Sequence, residues 1–107
     1  MAKVKHGDRI SADGSNYVSG LIPGRSYVIG LLYTSGTGTM NAIGQSLTSG
    51  GTVNTFYALD GTTALSITAT TPRTYRILAG APYFRFTIAS SSSLVAQLVV
   101  IPVGHGY

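Results

Sequence analysis

Apolar and polar positions alternate most cleanly over residues 83–88. Phe84, Phe86 and Ile88 fall on one side, and Tyr83, Arg85 and Thr87 on the other. A period of two predicts a half-buried strand with one apolar and one amphipathic face. Ser90 to Ser93 then break the pattern. Serines offer little to bury and hydrogen-bond readily to nearby backbone, so the run predicts a hairpin turn. Residues 94–101 return almost wholly apolar and stop at Pro102. That predicts a strand covered on both faces except near Gln97. This hairpin is expected at the centre of the fold.

The rest of the chain reads in the same way. Residues 9–12 form a short strand candidate closed by Asp13-Gly14, and residues 16–21 a second, followed by the turn pair Pro23-Gly24. Residues 26–33 are β-rich and apolar on both faces, which predicts a central strand, with Gly30 marking a bulge or a close backbone approach. A turn at residues 35–38 precedes a weakly alternating strand over 39–47, with Met40, Ala42 and Gly44 on one side. Turns at 48–51 and at Asp60-Gly61 bracket a strand over 53–59. Residues 65–69 alternate with Leu65, Ile67 and Ala69 inward, Thr71-Pro72 interrupts, and 74–78 make a short strand. Eight or nine short strands, turn signals about every ten residues and no helical period predict an all-β fold. The expected architecture is a two-sheet β-sandwich, jelly-roll-like or immunoglobulin-like, of about eight short antiparallel strands. No repeat of fixed period argues for a solenoid or propeller.

Composition narrows this reading. One domain fits 107 residues, read as a basic arm over 1–8 and a sandwich over 9–107. The arm is either a frayed terminus or a reach toward a neighbouring subunit, with Lys3, Lys5 and His6 as its contact residues. There is no cysteine, so neither a disulfide nor a thiolate metal site enters the argument. The net charge of +4 comes from seven Lys/Arg against three Asp, a mild bias rather than the dense cluster of a nucleic-acid binder. The opening residues carry charge but no apolar signal core, and the longest apolar run is about half a membrane span. The expectation is a protein made in a cytoplasm, with no membrane partner.

Catalytic chemistry finds few residues. Asp13 and Asp60 sit in Asp-Gly turns, where the side chain supports its own backbone, and Asp8 is the remaining acid. Paired carboxylates for glycoside hydrolysis are not suggested. His6 and His105 lie near opposite termini and would need a third ligand such as Asp8 to hold zinc. No Gly-x-Ser-x-Gly elbow occurs, and residues 36–39 lack the Lys-Ser/Thr ending of a phosphate loop. No catalytic residue, metal or cofactor is expected. The more informative set is Arg73, Tyr75, Arg76, Tyr83 and Arg85, on or beside two strands close enough in sequence to pair. Tyrosine with arginine on an outer face is interface composition. The same residues could stack on sugars or on single-stranded nucleic acid, or the arginines could simply lay their stems over apolar surface.

At Ala81-Pro82-Tyr83-Phe84-Arg85-Phe86-Thr87-Ile88, followed by a small-residue turn and an apolar last strand, the chain resembles small all-β structural proteins of tailed bacteriophages. The likeness covers the last third of the chain, with serines where those proteins carry a turn glycine. It implies a virion component: a capsid decoration protein, head fibre or small tail protein. Such proteins assemble as homo-oligomers, often trimers, on a major capsid or tail protein. The alternative is a carbohydrate-binding or adhesin-like β-sandwich module with tyrosines as a sugar platform. A continuous apolar face would speak for subunit packing, and a concave aromatic groove for a ligand.

Overall fold

The structure, a computed structural model, describes residues 1–55, 66–68 and 74–103. The chain is all-β. Among the described residues there are eight strands and no helix: β1 (Ala2–Lys3), β2 (Arg9–Ile10), β3 (Gly14–Val18), β4 (Ser26–Ser46), β5 (Asn54–Thr55), β6 (Ser66–Thr68), β7 (Thr74–Leu78) and β8 (Tyr83–Pro102). Two of them, β4 and β8, are far longer than the sequence predicts, at 21 and 20 residues. They pair antiparallel along their whole length, from Tyr27 opposite Pro102 to Ser46 opposite Tyr83.

This overturns the central hairpin. Ser90–Ser93 do not turn the chain back on itself, and residues 83–88 and 94–101 are successive parts of one strand. The turn expected at residues 35–38 likewise lies inside β4. Both strands bend here together. Gly36 (φ 77°), Ser90 (φ 56°) and Ser93 (φ 50°) take left-handed backbone, and the register slips three times between Tyr33 and Thr39. Each slip is a bulge, which kinks a strand without ending it. One effect is visible in the burial. In β4 the inward positions are Tyr27, Ile29 and Leu31 before the bend, but Met40 and the half-buried Ala42 after it. An odd slip has exchanged the faces. In β8 the inward set stays even-numbered throughout, from Phe84 to Val100.

Every other strand sews onto these two. β3 and β2 pair with the free edge of β8, and β7, β6 and β5 with the free edge of β4. β1 joins β3 in parallel, so the single eight-stranded sheet is mixed rather than purely antiparallel. The half before the β4 bend supplies Ile29, Ile77 and Leu98 to the core, and the other half supplies Met40, Ile67, Phe84 and Phe86. All belong to one buried cluster, so the bend brings the inner faces of the two halves together.

Several local expectations are met. The turn at Pro23-Gly24 closes with the Arg25 N–H on the Ile22 carbonyl (3.1 Å), Gly24 taking φ 88° as a type II turn requires. β7 spans the residues expected, and Ile67 is buried as the alternation predicts. Others are corrected. Gly30 lies in regular register, and the bulges come after Tyr33. Residues 26–33 and 94–101 are covered on one face only: Leu32 is 60% exposed and Ile101 44%. An unbroken apolar run cannot by itself distinguish two covered faces from one covered face and one apolar surface. Phe56–Leu59 of the expected fifth strand, Asp60-Gly61, Leu65, Ala69, Thr71-Pro72, Arg73 and His105 lie outside the described residues.

The basic arm is tied to its own chain. Beyond β1, the Val4 N–H donates to Tyr17 O (2.9 Å), Gly7 N–H to Leu98 O (2.8 Å) and Leu98 N–H to Asp8 O (2.9 Å), while His6 Nδ1 accepts from Val100 N–H (3.1 Å). These bonds satisfy edge groups of β3 and β8 that a frayed arm would leave open.

Candidate functional site

The site residues expected from sequence do not form one patch. β7 and residues 83–88 do not pair; they flank opposite halves of β4, β7 on Ser26–Gly30 and residues 83–88 on Met40–Ser46. Strand alternation then separates neighbours. Tyr75 faces inward against the core, with its hydroxyl donating to Ser66 O (3.3 Å), while Arg76 points out and is exposed. Arg73 lies outside the described residues.

Tyr83 and Arg85 sit on the outer face of the other half. The register sets Lys3, Tyr17 and Arg85 side by side across β1, β3 and β8, and the Tyr17 and Tyr83 rings meet at 6.0 Å and 44°. Tyr17 carries no local signal for this role, because its neighbours Lys3, Tyr83 and Arg85 are brought to it only by strand pairing. Arg85 is half-buried, and its guanidinium donates to the Gly51 carbonyl, holding the 48–51 turn onto the sheet. Its Nε is buried without a hydrogen-bond partner. Arg85 is therefore a clamp within the subunit, not the free outward donor the sequence suggests. Lys3, Lys5 and His6 are exposed on the arm.

Three of the five described tyrosines, Tyr27, Tyr33 and Tyr75, put their hydroxyls to use within the fold. Tyr27 Oη accepts from Ile22 N–H (2.7 Å), and the single Tyr33 O–H is shared between Gly38 O (2.9 Å) and Ile67 O (3.2 Å). Burial pushes the Tyr33 phenol above its ordinary value, which keeps it a donor. The two aspartates among the described residues are similarly committed. Asp8 Oδ2 accepts the Lys5 N–H (3.0 Å), and Asp13 Oδ1 accepts the Ser91 N–H (2.8 Å) at the bend of β8. The hydrogen bonds from the Ser91 side chain and backbone hold the Asp13 carboxyl below its ordinary 3.8. A depressed carboxylate stabilises the fold above the unfolded-state value and loses that contribution as pH falls through the native one. Asp13→Asn is thus expected to lower the thermal midpoint slightly at neutral pH. The difference should close on acidification below pH about 4, in melts recorded across a pH series. A gap independent of pH would remove the charge from the explanation.

The surface the sequence does not reveal is the outer face of the β7–β4–β8–β2 half. The register lays out its rows: Arg76, Val28 and Ile101; Thr74, Gly30 and Val99; Leu32, Gln97 and Arg9. Leu78 adds a corner. Leu32 (60%), Leu78 (54%) and Ile101 (44%) are open to solvent, with Val28 and Val99 half-exposed between them. The result is an apolar face with an arginine at each lateral edge. Its sequence signal is the pair of continuous apolar runs 26–33 and 94–101, which by themselves predict burial on both faces.

A shallow cleft of about 330 Å³ lies between β1 and residues 9–16. Arg9 and Asp13 are the ionisable groups lining it, a single acid with a single base. Among the described residues no three His, Cys, Asp or Glu side chains are placed to hold a metal ion, and no helix is long and apolar enough to cross a membrane. No family model matches the chain, and neither the curated proteins nor the solved structures yield a match.

Proposed function

We propose that this chain is a non-enzymatic structural protein that acts by protein–protein contact, as a capsid decoration, head-fibre or tail component of a virion. One observation carries the reading: the apolar outer face of Val28, Leu32, Leu78, Val99 and Ile101. A soluble domain rarely leaves such a contiguous patch without a partner to cover it. In this reading the bent sheet works as the two layers of a sandwich of jelly-roll or immunoglobulin kind, one outer layer apolar and the other carrying Lys3, Tyr17 and Tyr83. The subunit joins copies of itself, a trimer being favoured, and a major capsid or tail protein. The resemblance of residues 81–103 to phage structural proteins supports the setting. The sugar-binding alternative is weakened because Tyr27, Tyr33 and Tyr75 turn inward instead of forming a platform.

Light scattering over a concentration series tests the assembly. The expected result is a closed oligomer, three chains in mass, unchanged on dilution. A strict monomer up to high concentration, with binding to a glycan array, would replace this reading by the sugar-binding one.

A further inference from the structure

The apolar face has a charge pattern that selects its partner. Arg9 on β2 and Arg76 on β7 stand at opposite lateral edges, with β8 and β4 between them. Among the described residues of this face there is no carboxylate. Asp8, the nearest acid in sequence to Arg9, accepts the Lys5 N–H, and Asp13, which lines a cleft with Arg9, accepts the Ser91 N–H. A second copy laid face to face offers neither arginine a carboxylate, and with its strands aligned it sets cationic edge against cationic edge. Like charges facing each other across a contact disfavour it and are a standard means of excluding a wrong partner.

Resting on the protein-docking reading above, we propose that this face docks a different protein: one with an apolar patch bordered by carboxylates. Leu32, Val28, Val99 and Ile101 supply the desolvated centre, and Arg9 and Arg76 pair with the partner's acids at the rim. Arginine suits this role because its planar fork binds a carboxylate through two parallel hydrogen bonds. Contacts between copies of the chain then use other surfaces, and the face stays free for the larger partner.

The chain itself, with its rim reversed, provides the probe. Arg9→Glu/Arg76→Glu has the same apolar centre inside an acidic border, and both positions are exposed, so folding is retained; circular dichroism verifies this. Wild type carrying a fluorescent label is titrated with this variant and followed by sedimentation velocity. The expected result is a complex containing both proteins in equal amounts, in addition to whatever assembly each forms alone. It should weaken about tenfold or more as salt is raised from about 0.05 M to about 1 M, because screening weakens the exposed Arg–Glu pairs at the rim. Leu32→Lys in either member should abolish it. Three results would overturn the proposal: no mixed complex; self-association of wild type that Leu32→Lys abolishes, which assigns the face to a second copy; or Leu32-dependent sedimentation with phosphatidylserine vesicles, which assigns it to lipid. A monomeric wild type that still pairs with the variant would remove the homo-oligomer while leaving this inference standing.

Discussion

Gly36→Ala is expected to cost about 3 kcal/mol or more, and to lower the thermal midpoint by roughly 10–20 °C for a domain of this size. Two separate penalties act at this position. The backbone there has φ 77°, where a side chain costs on the order of 1–2 kcal/mol by crowding the following carbonyl. In addition, a Cβ on Gly36 would run into the Ser93 carbonyl and lie 2.7 Å from Leu94 N. Those are backbone atoms of the facing strand, so no rotamer change relieves the contact. β4 and β8 would have to separate where both bend, and the bend is what places Ile29 and Phe86 in one core. Gly24→Ala is the control. It has a similar φ of 88° but nothing within 4 Å of the added carbon, so it carries the backbone penalty alone. Thermal melts of the two variants separate strain from collision. Equal shifts would mean that the strands do not approach closely at Gly36.

The same bend explains what could be read from the sequence and what could not. Alternation over 83–88 gave the inward set Phe84, Phe86 and Ile88, because that pattern is a property of one strand and its burial. The extent of β7 and the turn at Pro23-Gly24 were legible for the same reason: their signals lie within a few residues. The serine run was misread because a bulge and a turn share their local chemistry. Both want small residues that accept left-handed backbone, and only the pairing partner distinguishes them. Residues 83–88 find Met40–Ser46 and β3, not residues 94–101, and no local signal encodes that choice.

The candidate site was less legible still. Arg76 and Tyr75 are adjacent in sequence and face opposite ways, whereas Lys3, Tyr17 and Arg85 are neighbours only through sheet register. Arg85 looked outward by parity, and its position on the outer face is correct. The 48–51 turn folding over it, with the Gly51 carbonyl as acceptor, converts an exposed donor into an internal one. The apolar face was hidden for a further reason. Valine and leucine in continuous runs carry the same signal whether the second face meets protein within the chain or a partner outside it.

Phe86→Ala is expected to have the largest effect of all, about 3–5 kcal/mol, because it removes a side chain with no exposed area from between the strands that organise the fold. Phe86 stands opposite Asn16 on β3 and Ala42 on β4. Ala42 is small, so the phenyl ring occupies space that no neighbour can refill. Its ring also packs with that of Phe84 at 5.5 Å and 30°, a contact adding about 0.5–1.5 kcal/mol beyond burial. Set against a total stability of roughly 5–15 kcal/mol, the loss would leave the domain close to unfolding. Urea titration should show the midpoint falling while the slope is unchanged, since the surface exposed on unfolding stays nearly the same. Thr87→Ala, one residue on and facing out, should change stability by no more than about 0.5 kcal/mol. A loss at Phe86 as small as that at Thr87 would mean that β8 does not present its even-numbered face to the core. The inward assignment of Phe84, Ile88, Leu94 and Leu98 would fall with it, and so would the outward assignment of the apolar face on which docking depends.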